Sequence, residues 1–284
     1  MKNILIPTDF SPNAWNAIRY ALEFFKEETV TFYLLHTYTP AFYRMDYMLG
    51  GPAFSAIPDV GVDISLAGLE KTLKDIQRQL PNPKHSFETV SAFNLLTDEV
   101  NELAQQKGIE MVVMGTKGAT GAKQFFLGSN TIFVIRKAKI PVLAIPEKSK
   151  HRKVSNILFP TGYWSKYKIA ELQPLLEIAK TNKAKITVFH VKEEYDLTEQ
   201  QEHNKTHLKK CLKKVPYQFT EIREKLMPNA ILDHLEGNDF QLLAMMNRGH
   251  SFFERLLIKQ NIDQIGFHVQ IPFLVLPDTS KVIH

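Results

Sequence analysis

The sequence lacks several features that would assign it to other classes of protein. Cys211 is its only cysteine, so no disulfide can form within the chain, and a reducing compartment is expected. No apolar run approaches the roughly eighteen residues of a membrane-spanning helix, and the apolar start at residues 1–7 is too short for a signal peptide. We therefore predict a soluble, cytoplasmic protein, and we expect Cys211 to be a surface thiol without a role.

Catalytic machinery is also missing from the sequence. It shows no paired carboxylates, no residues with metal-ligand spacing and no nucleophile next to a base. His36 lies near the end of a predicted strand, but a single histidine without an acidic or cysteine partner in recognisable spacing is more often structural. We therefore predict no catalytic residue and no metal ligand, and we expect that the protein is not an enzyme.

Charge of one sign is only slightly in excess. The formal net charge is +5, and the excess of lysine and arginine falls after residue 150. Because these residues are spread over helix-like faces without interleaved aromatic residues, they are typical of a solvated surface and not of a nucleic-acid stripe. We expect neither nucleic acid nor a membrane as a partner.

What the sequence does have is enough length and apolar content for two ordinary domains, with 284 residues of which 44% are hydrophobic. Short apolar strands alternate with amphipathic helices, which predicts a parallel sheet covered on both faces. The pattern then repeats, because residues 156–162 echo residues 3–9 and residues 271–275 echo residues 140–144. The predicted organisation is a domain at 1–147, a linker at 148–153 and a second copy at 154–284.

A long connection, residues 38–62, follows the second predicted strand, Val30 to Thr37. It is rich in tyrosine, phenylalanine, methionine, proline and glycine, and it exceeds the length that compact α/β folds need. It leaves the carboxyl end of a strand, where parallel sheets bind their ligands. Three roles stay open for it: covering a ligand, covering a partner surface, or packing on its own domain.

A glycine-rich turn follows a predicted buried strand at residues 111–114. Gly115, Gly118 and Gly121 are spaced along this turn. Glycine permits positive φ and has no Cβ, so the backbone can approach a ligand closely and present its N–H groups to it.

The residues Gly-Ser-Asn at 128–130 precede a predicted helix at 131–137. Such a helix would aim its free N–H groups and the positive end of its dipole at an anion, with the Ser129 hydroxyl as a further donor. One more predicted buried strand, residues 140–146, completes the segment. The pattern therefore predicts a phosphate site.

The full pattern, G-x2-G-x9-G-S between an apolar strand and I-P-V-L, resembles the nucleotide-binding signature of the universal stress protein family. It fits neither the kinase-type phosphate loop G-x4-G-K-[ST] nor the dinucleotide motif G-x-G-x-x-G. Without this context, three spaced glycines would equally fit a connection that binds nothing. The resemblance covers nearly the whole chain, as a tandem member with one intact and one degenerate copy.

The resemblance implies two tandem, doubly wound, five-stranded parallel-sheet domains of the adenine nucleotide alpha hydrolase-like type, joined as an intramolecular pseudo-dimer. It implies binding of ATP, AMP or ADP, with or without Mg²⁺; it leaves the protein partners undefined and admits a homodimer. Carried over onto this chain, the nucleotide contacts fall on Pro7, Thr8, Asp9, Thr37, Met114, Gly115, Lys117, Gly118, Gly128, Ser129 and Asn130. The first three would contact adenine and ribose, Thr37 would contact adenine, and the last three would hold the phosphates.

The second copy has lost this pattern. Aligned without gaps on the final strands, and on the first strands for Asp9, the facing pairs are Gly115 and Met246, Gly118 and Gly249, Gly128 and Lys259, Ser129 and Gln260, and Asp9 and Gly162. We therefore predict one nucleotide per chain, bound by the first copy. We also predict that the copies pair through their final strands, residues 142–146 and 273–276.

Three functions stay open on the sequence. The first is an ATP- or AMP-binding universal stress protein that acts as a nucleotide-dependent regulatory or protective factor in stress response. The second is a slow ATPase or self-phosphorylating protein, in which Ser129 or Thr116 receives phosphate. The third is a binding module for a non-nucleotide apolar ligand, over which residues 38–62 would close.

Overall fold

The computed structural model describes residues 1–38, 60–116, 128–192, 196–223, 227–248 and 269–279. Strands and helices alternate in the first half of the chain: β1 (Lys2–Pro7), α1 (Pro12–Phe24), β2 (Val30–Thr37), α2 (Val60–Gln79), β3 (His85–Ala92), α3 (Leu96–Gln106), β4 (Met111–Gly115), α4 (Ser129–Lys137) and β5 (Val142–Ile145). The alternation repeats in the second half: β6 (Asn156–Pro160), α5 (Ile169–Asn182), β7 (Lys185–Val191), α6 (Glu199–Leu212), β8 (Tyr217–Ile222), α7 (Met227–Glu236), β9 (Leu242–Asn247) and β10 (Phe273–Pro277).

These ten strands lie in one sheet, in the order β3-β2-β1-β4-β5-β10-β9-β6-β7-β8. Neighbouring strands are parallel within each half, and the order in the second half mirrors the order in the first. The predicted fold, two tandem five-stranded parallel sheets with alternating helices, is therefore confirmed. The domain boundaries at 147 and 154 stay predictions.

Strands β5 and β10 join the two halves as an antiparallel pair, with Phe273 opposite Ala144 and Val275 opposite Val142. The central pair, Leu143 and Leu274, is fully buried. The predicted pairing of the final strands is confirmed. It covers an edge of β5 that would otherwise be open to other chains.

Apolar side chains fill both faces of the sheet. Side chains alternate along each strand, so in β1 Ile4 and Ile6 point to one face and Leu5 to the other. Helices α1, α2, α5 and α6 cover the first face, and α3, α4 and α7 cover the second. Each layer of side chains runs across the junction, so the two halves share their hydrophobic core.

Helix α1 begins at a serine and a proline that are typical of a helix start. Ser11 is the N-cap and its hydroxyl accepts a hydrogen bond from the Ala14 N–H at 3.2 Å, while Pro12 takes the first helical position. The buried stripe of α1 includes Ala17 and Ile18. This helix packs against the ends of β4 and β5, which places it beside the loop that follows β1.

The expectation that Cys211 is a surface thiol is wrong. Cys211 lies on the apolar side of α6 between Leu208 and Leu212 and is only 5% exposed, so it is not a surface thiol. Burial raises the pKa of the thiol. A neutral, buried thiol packs as a small apolar side chain, which explains its place in the core.

No helix in the described ranges has the length and apolar character needed to cross a membrane.

Candidate functional site

A cavity of about 270 Å³ lies at the carboxyl ends of β1, β2 and β4. Strand order changes direction here, because β2 and β4 lie on opposite sides of β1, and parallel sheets bind ligands at such points. Nine of the predicted contact residues line this cavity: Pro7, Thr8, Asp9, Thr37, Met114, Gly115, Gly128, Ser129 and Asn130. The other two, Lys117 and Gly118, lie outside the described residues, as do residues 39–59 of the long connection.

The loop after β1 is fixed by its own hydrogen bonds. The Thr8 N–H donates to Leu35 O at 2.8 Å, and the Thr8 hydroxyl accepts from the Phe10 N–H at 3.0 Å. Asp9 accepts from the Ser11 N–H at 3.1 Å through one carboxylate oxygen. Because the carboxylate itself is exposed at the cavity, the loop presents a negative charge there.

The ring of Phe10 packs against β2 and α2 and thereby fixes this loop. Phe10 is a non-glycine residue with positive φ, 62°, a conformation that costs energy unless packing holds it. Its ring stacks on His36 with centroids 4.6 Å apart and rests on Gly68 of α2. A Cβ at position 68 would come within 2.7 Å of a ring carbon, so only glycine allows this contact without a shift.

His36 forms part of the cavity wall. Its Nδ1 lies 2.9 Å from the Ser65 hydroxyl, which lies 2.7 Å from the Ser91 hydroxyl. Burial lowers the pKa of His36, and the negative charge of Asp9 only partly opposes this shift. The ring is therefore neutral near pH 7. Ser65 is fully buried, so it orients the ring and is closed to a ligand.

The end of β2 extends beyond β1. Pro7, the last residue of β1, pairs with Leu35, so His36 and Thr37 have no β1 residue beside them. On the other side Thr37 still pairs with Ala92 of β3. The backbone of Thr37 therefore borders the cavity on the side where a strand would otherwise continue. A place at this edge was predicted for Thr37. The adjacent His36 was predicted to be structural, in agreement with its hydrogen bond to Ser65, but its place in the cavity wall was not predicted.

Gly115 is the last residue of β4, and one of the two reasons predicted for a glycine there is wrong. Gly115 does not use positive φ, which among the described glycines occurs only at Gly108. A Cβ at position 115 would lie 2.9 Å from Asn13 Cγ and 3.1 Å from Asn13 O. Glycine is needed here because α1 packs against the end of β4. The predicted close approach of a ligand to this backbone stays a prediction.

Helix α4 opens onto the cavity. It begins at Ser129, two residues before the predicted start, with Gly128 as an N-cap that has no side chain to bind the first N–H groups. The Gly128 N–H donates to Thr116 O at 2.6 Å, and the buried Thr131 hydroxyl donates to Gly115 O at 2.9 Å. The first turn is therefore tied to the end of β4 with its N–H groups at the cavity, an arrangement that favours an anion.

The loop after β6 has the same backbone and different side chains. The Thr161 N–H donates to Phe189 O at 2.9 Å, and the Thr161 hydroxyl accepts from the Tyr163 N–H at 3.0 Å. Tyr163 has a φ of 57° and lies beside His190, with ring centroids 5.0 Å apart. Gly162 takes the place of Asp9, and the Trp164 indole lies 2.6 Å from where a Cβ of residue 162 would be.

The end of β9 holds a buried ionic cluster. Arg248, which faces Lys117 in the gapless alignment, forms an ion pair with Glu171 of α5 and lies 3.5 Å from the Asp278 carboxylate. Burial alone would raise the pKa of Glu171. Hydrogen bonds from Thr279 and Lys168 and the charge of Arg248 outweigh burial and lower that pKa. The positive charge of Arg248 is therefore paired with carboxylates of the second half itself.

Metal ligands do not cluster in the described part of the chain, where no group of three or more histidine, cysteine, aspartate or glutamate residues is placed to hold an ion. The expectation that the chain itself supplies no metal site stays a prediction, because residues 117–127 and 249–268 lie outside that part.

Comparison with known proteins gives matches to both halves of the chain. The model of the universal stress protein family matches residues 1–146 and 156–277. Universal stress protein MJ0577 of Methanocaldococcus jannaschii is 26% identical over 167 residues, which cover 52% of this chain and 96% of that protein. Universal stress protein MJ0531 of the same organism is 29% identical over 151 residues, with 52% and 84% covered.

A solved structure resembles the chain over nearly its whole length. The crystal structure of a universal stress protein from Archaeoglobus fulgidus DSM 4304 matches 97% of this chain and 96% of its own chain, with a TM-score of 0.68 and 18% identity. At that identity the likeness concerns the fold.

Proposed function

Because the chain belongs to the universal stress protein family, we propose that its first half binds an adenine nucleotide in the cavity at the ends of β1, β2 and β4. The observation that carries the proposal is convergence: nine residues, assigned from separate stretches of the sequence, line one cavity. Its volume, about 270 Å³, lies just below the roughly 300–1,000 Å³ usual for small-molecule sites.

The chemistry of the walls suits the parts of a nucleotide. The Asp9 carboxylate is an acceptor for ribose hydroxyls or for the exocyclic amine of adenine. Half-buried Leu96, with a small part of Met114, supplies apolar surface for the base. The first turn of α4, with the Ser129 hydroxyl beside it, supplies donors and the positive end of a helix dipole for phosphates. ATP, AMP and ADP, with or without Mg²⁺, share these recognition elements.

In this proposal the bound nucleotide regulates contacts with protein partners, and the protein does not hydrolyse it at an enzyme-like rate. A bound nucleotide changes the surface around the cavity and thereby the contacts with protein partners under stress. In support, the serine next to His36 is closed to ligands, and the exposed Asp9 has no second carboxylate beside it in the described cavity wall. Positioning without a general base or metal cage supplies only part of a catalytic rate. Phosphate release should be far slower than about one per second, the lower end of typical enzyme rates.

Titration calorimetry tests the proposal. The native protein should release heat with at least one of ATP, AMP and ADP, and Asp9→Ala should weaken binding by about tenfold or more, the size of a hydrogen bond to a charged group. Asp239→Ala is the matched control, because Asp239 is an exposed acid of the second half paired with Arg152 at 3.0 Å. Absence of heat with all three nucleotides overturns the proposal.

Native mass spectrometry of freshly purified protein separates this proposal from its competitors. A retained nucleotide mass supports it. A covalent phosphate would favour a self-phosphorylating protein, and an adduct of another mass would favour an apolar ligand.

A further inference from the structure

Helix α4 links the cavity to the second half of the chain. Its first residues, 128–131, line the cavity, and its last turn, Ile135 to Lys137, lies beside β9. At 1.5 Å per residue the two ends of α4, Ser129 and Lys137, are only about 12 Å apart. Any shift or tilt of the last turn therefore moves the first turn as well.

The carbonyl groups at the end of a helix need donors from elsewhere. Asn101 of α3 supplies one, since its side-chain N–H donates to Lys137 O at 3.1 Å and its side-chain oxygen accepts from the Lys139 N–H at 3.0 Å. Asn247 of β9 supplies the other. Its side-chain N–H donates to Ile135 O at 2.8 Å and lies 3.4 Å from Arg136 O. The helix is thus held from both halves.

Asn247 stands on a rigid support. The next residue, Arg248, is buried in the ionic cluster with Glu171 and Asp278, and its guanidinium also donates to Lys166 O at 3.1 Å. These contacts connect the end of β9 to α5 and to the chain after β10. The amide of Asn247 therefore reaches α4 from a fixed position.

We propose that Asn247 of the second half is a positioning residue for the nucleotide site of the first half, acting through helix α4. The degenerate half then contributes to binding without touching the ligand: it sets where the N–H groups of the first turn lie. Such groups must be held within about 0.5 Å of their working geometry to be effective. The role in affinity rests on the proposed function, and the role in holding α4 does not.

The test uses the full chain with three substitutions. Asn247→Ala removes the donor. Asn247→Asp keeps the shape, removes the donor and adds a negative charge at the negative end of the helix dipole, so it should act more strongly. Asn182→Ala is the matched control, because Asn182 also donates from its side chain to a helix carbonyl, Ile178 O at 3.0 Å, but within α5.

Two measurements are made on each variant: ATP affinity by calorimetry, and amide hydrogen exchange of residues 129–137 without nucleotide. Asn247→Ala should raise the Kd for ATP by about three- to tenfold, the size of one hydrogen bond, and should speed exchange in α4. Asn247→Asp should exceed both changes, and Asn182→Ala should change neither.

Each result decides something. Native Kd and native exchange in Asn247→Ala overturn the inference and leave the proposed function intact. Faster exchange with an unchanged Kd overturns the role in affinity. If the native protein binds no adenine nucleotide, the proposed function fails together with the role in affinity, and the exchange data alone then decide whether Asn247 holds α4. An equal loss of affinity in Asn182→Ala would show a general loss of stability instead of positioning.

Discussion

The loop after β1 and the loop after β6 follow the same backbone path, but they differ in the residue that follows the first threonine, Asp9 in one and Gly162 in the other. Phe10 and Tyr163 both have positive φ, and each packs against the histidine of the neighbouring strand. Yet Asp9 exposes a carboxylate at a cavity, while the equivalent Gly162 lies under an indole. The path of the loop is therefore set by packing and not by a ligand, so the shared shape alone carries no evidence of binding.

The second half closes its loop with internal partners. The side chains of Gln201 and Asn204 in α6 donate to Gly162 O at 2.8 Å and to Tyr163 O at 2.9 Å. In the first half the corresponding place on α2 has Gly68 beneath the Phe10 ring and Ser65 beneath His36. In the second half the polar side chains of α6 bind the loop, whereas in the first half Ser65 binds His36 and the Asp9 carboxylate faces the cavity. The same loop path is therefore compatible with an open cavity in the first half and with internal hydrogen bonds in the second.

Separating the halves should give the largest effect. Residues 1–147 expressed alone would expose β5 as an unpaired apolar edge, so we expect the fragment to form a homodimer through that strand. Analytical ultracentrifugation measures this directly, with the full chain, in which β5 is already paired with β10, as the control. A fragment that stays monomeric at high concentration would contradict this view of the junction.

Breaking the ionic cluster of the second half comes next. Arg248→Ala leaves Glu171 charged and buried, and breaking such pairs typically costs about 3–5 kcal/mol in the free energy of unfolding. Urea unfolding measures it. Arg152→Ala, which removes the exposed pair with Asp239, should change little. If Arg248→Ala is as stable as Arg152→Ala, the cluster does not hold the end of β9.

Importing residues of the second half into the first should follow in size. Gly128→Lys with Ser129→Gln adds bulk at the start of α4 and removes the serine donor, so ATP affinity should fall by about 2 to 4 kcal/mol, the loss of about two phosphate hydrogen bonds. Calorimetry should also give one nucleotide per native chain. A stoichiometry near two, or native affinity in the double variant, would show that the role of residues 128–129 has been misjudged.

Lowering the pH should have the smallest effect, and it should destabilise the first half more than the second. Burial lowers the pKa of His36, His85 and His151 in or beside the first half, and of His234 in the second. A histidine with a lowered pKa takes up protons more readily when unfolded, so stability is full above the ordinary histidine pKa of about 6.5 and falls as the pH drops below it.

Hydrogen exchange at about pH 7.5 and about pH 5.5 measures this in each half. The loss of protection should be larger in the strands β1 to β3 than in β6 to β8. A His85→Gln variant should show a smaller loss around β3, because it removes one of the buried titrating groups. Equal losses in both halves would contradict the assignment to these histidines.

The fold was predictable because its signals are local. Short apolar runs such as residues 111–114 and 140–146 predicted the strands. The echo of residues 3–9 in 156–162 predicted the second copy. These patterns depend on side-chain burial within a few residues, which a sequence displays directly.

The site was less predictable because its details depend on contacts between distant elements. Gly115 is required by Asn13, about a hundred positions away, and no local pattern reveals that. The place of His36 in the cavity wall depends on Ser65 of α2. Cys211 is buried by the way α6 turns its apolar side to the sheet, despite the lysines around it in sequence. The binding roles of the nine cavity residues stay predictions.

The pairing of β5 with β10 also decides how the protein responds to dilution. Between separate copies such a contact obeys mass action, and it comes apart when the protein becomes scarce. Here both strands belong to one chain, so their effective concentration is set by the connecting residues and not by the amount of protein in the cell. The support that Asn247 gives to α4 is therefore present at every expression level, and the affinity of the site for its ligand should not depend on protein concentration.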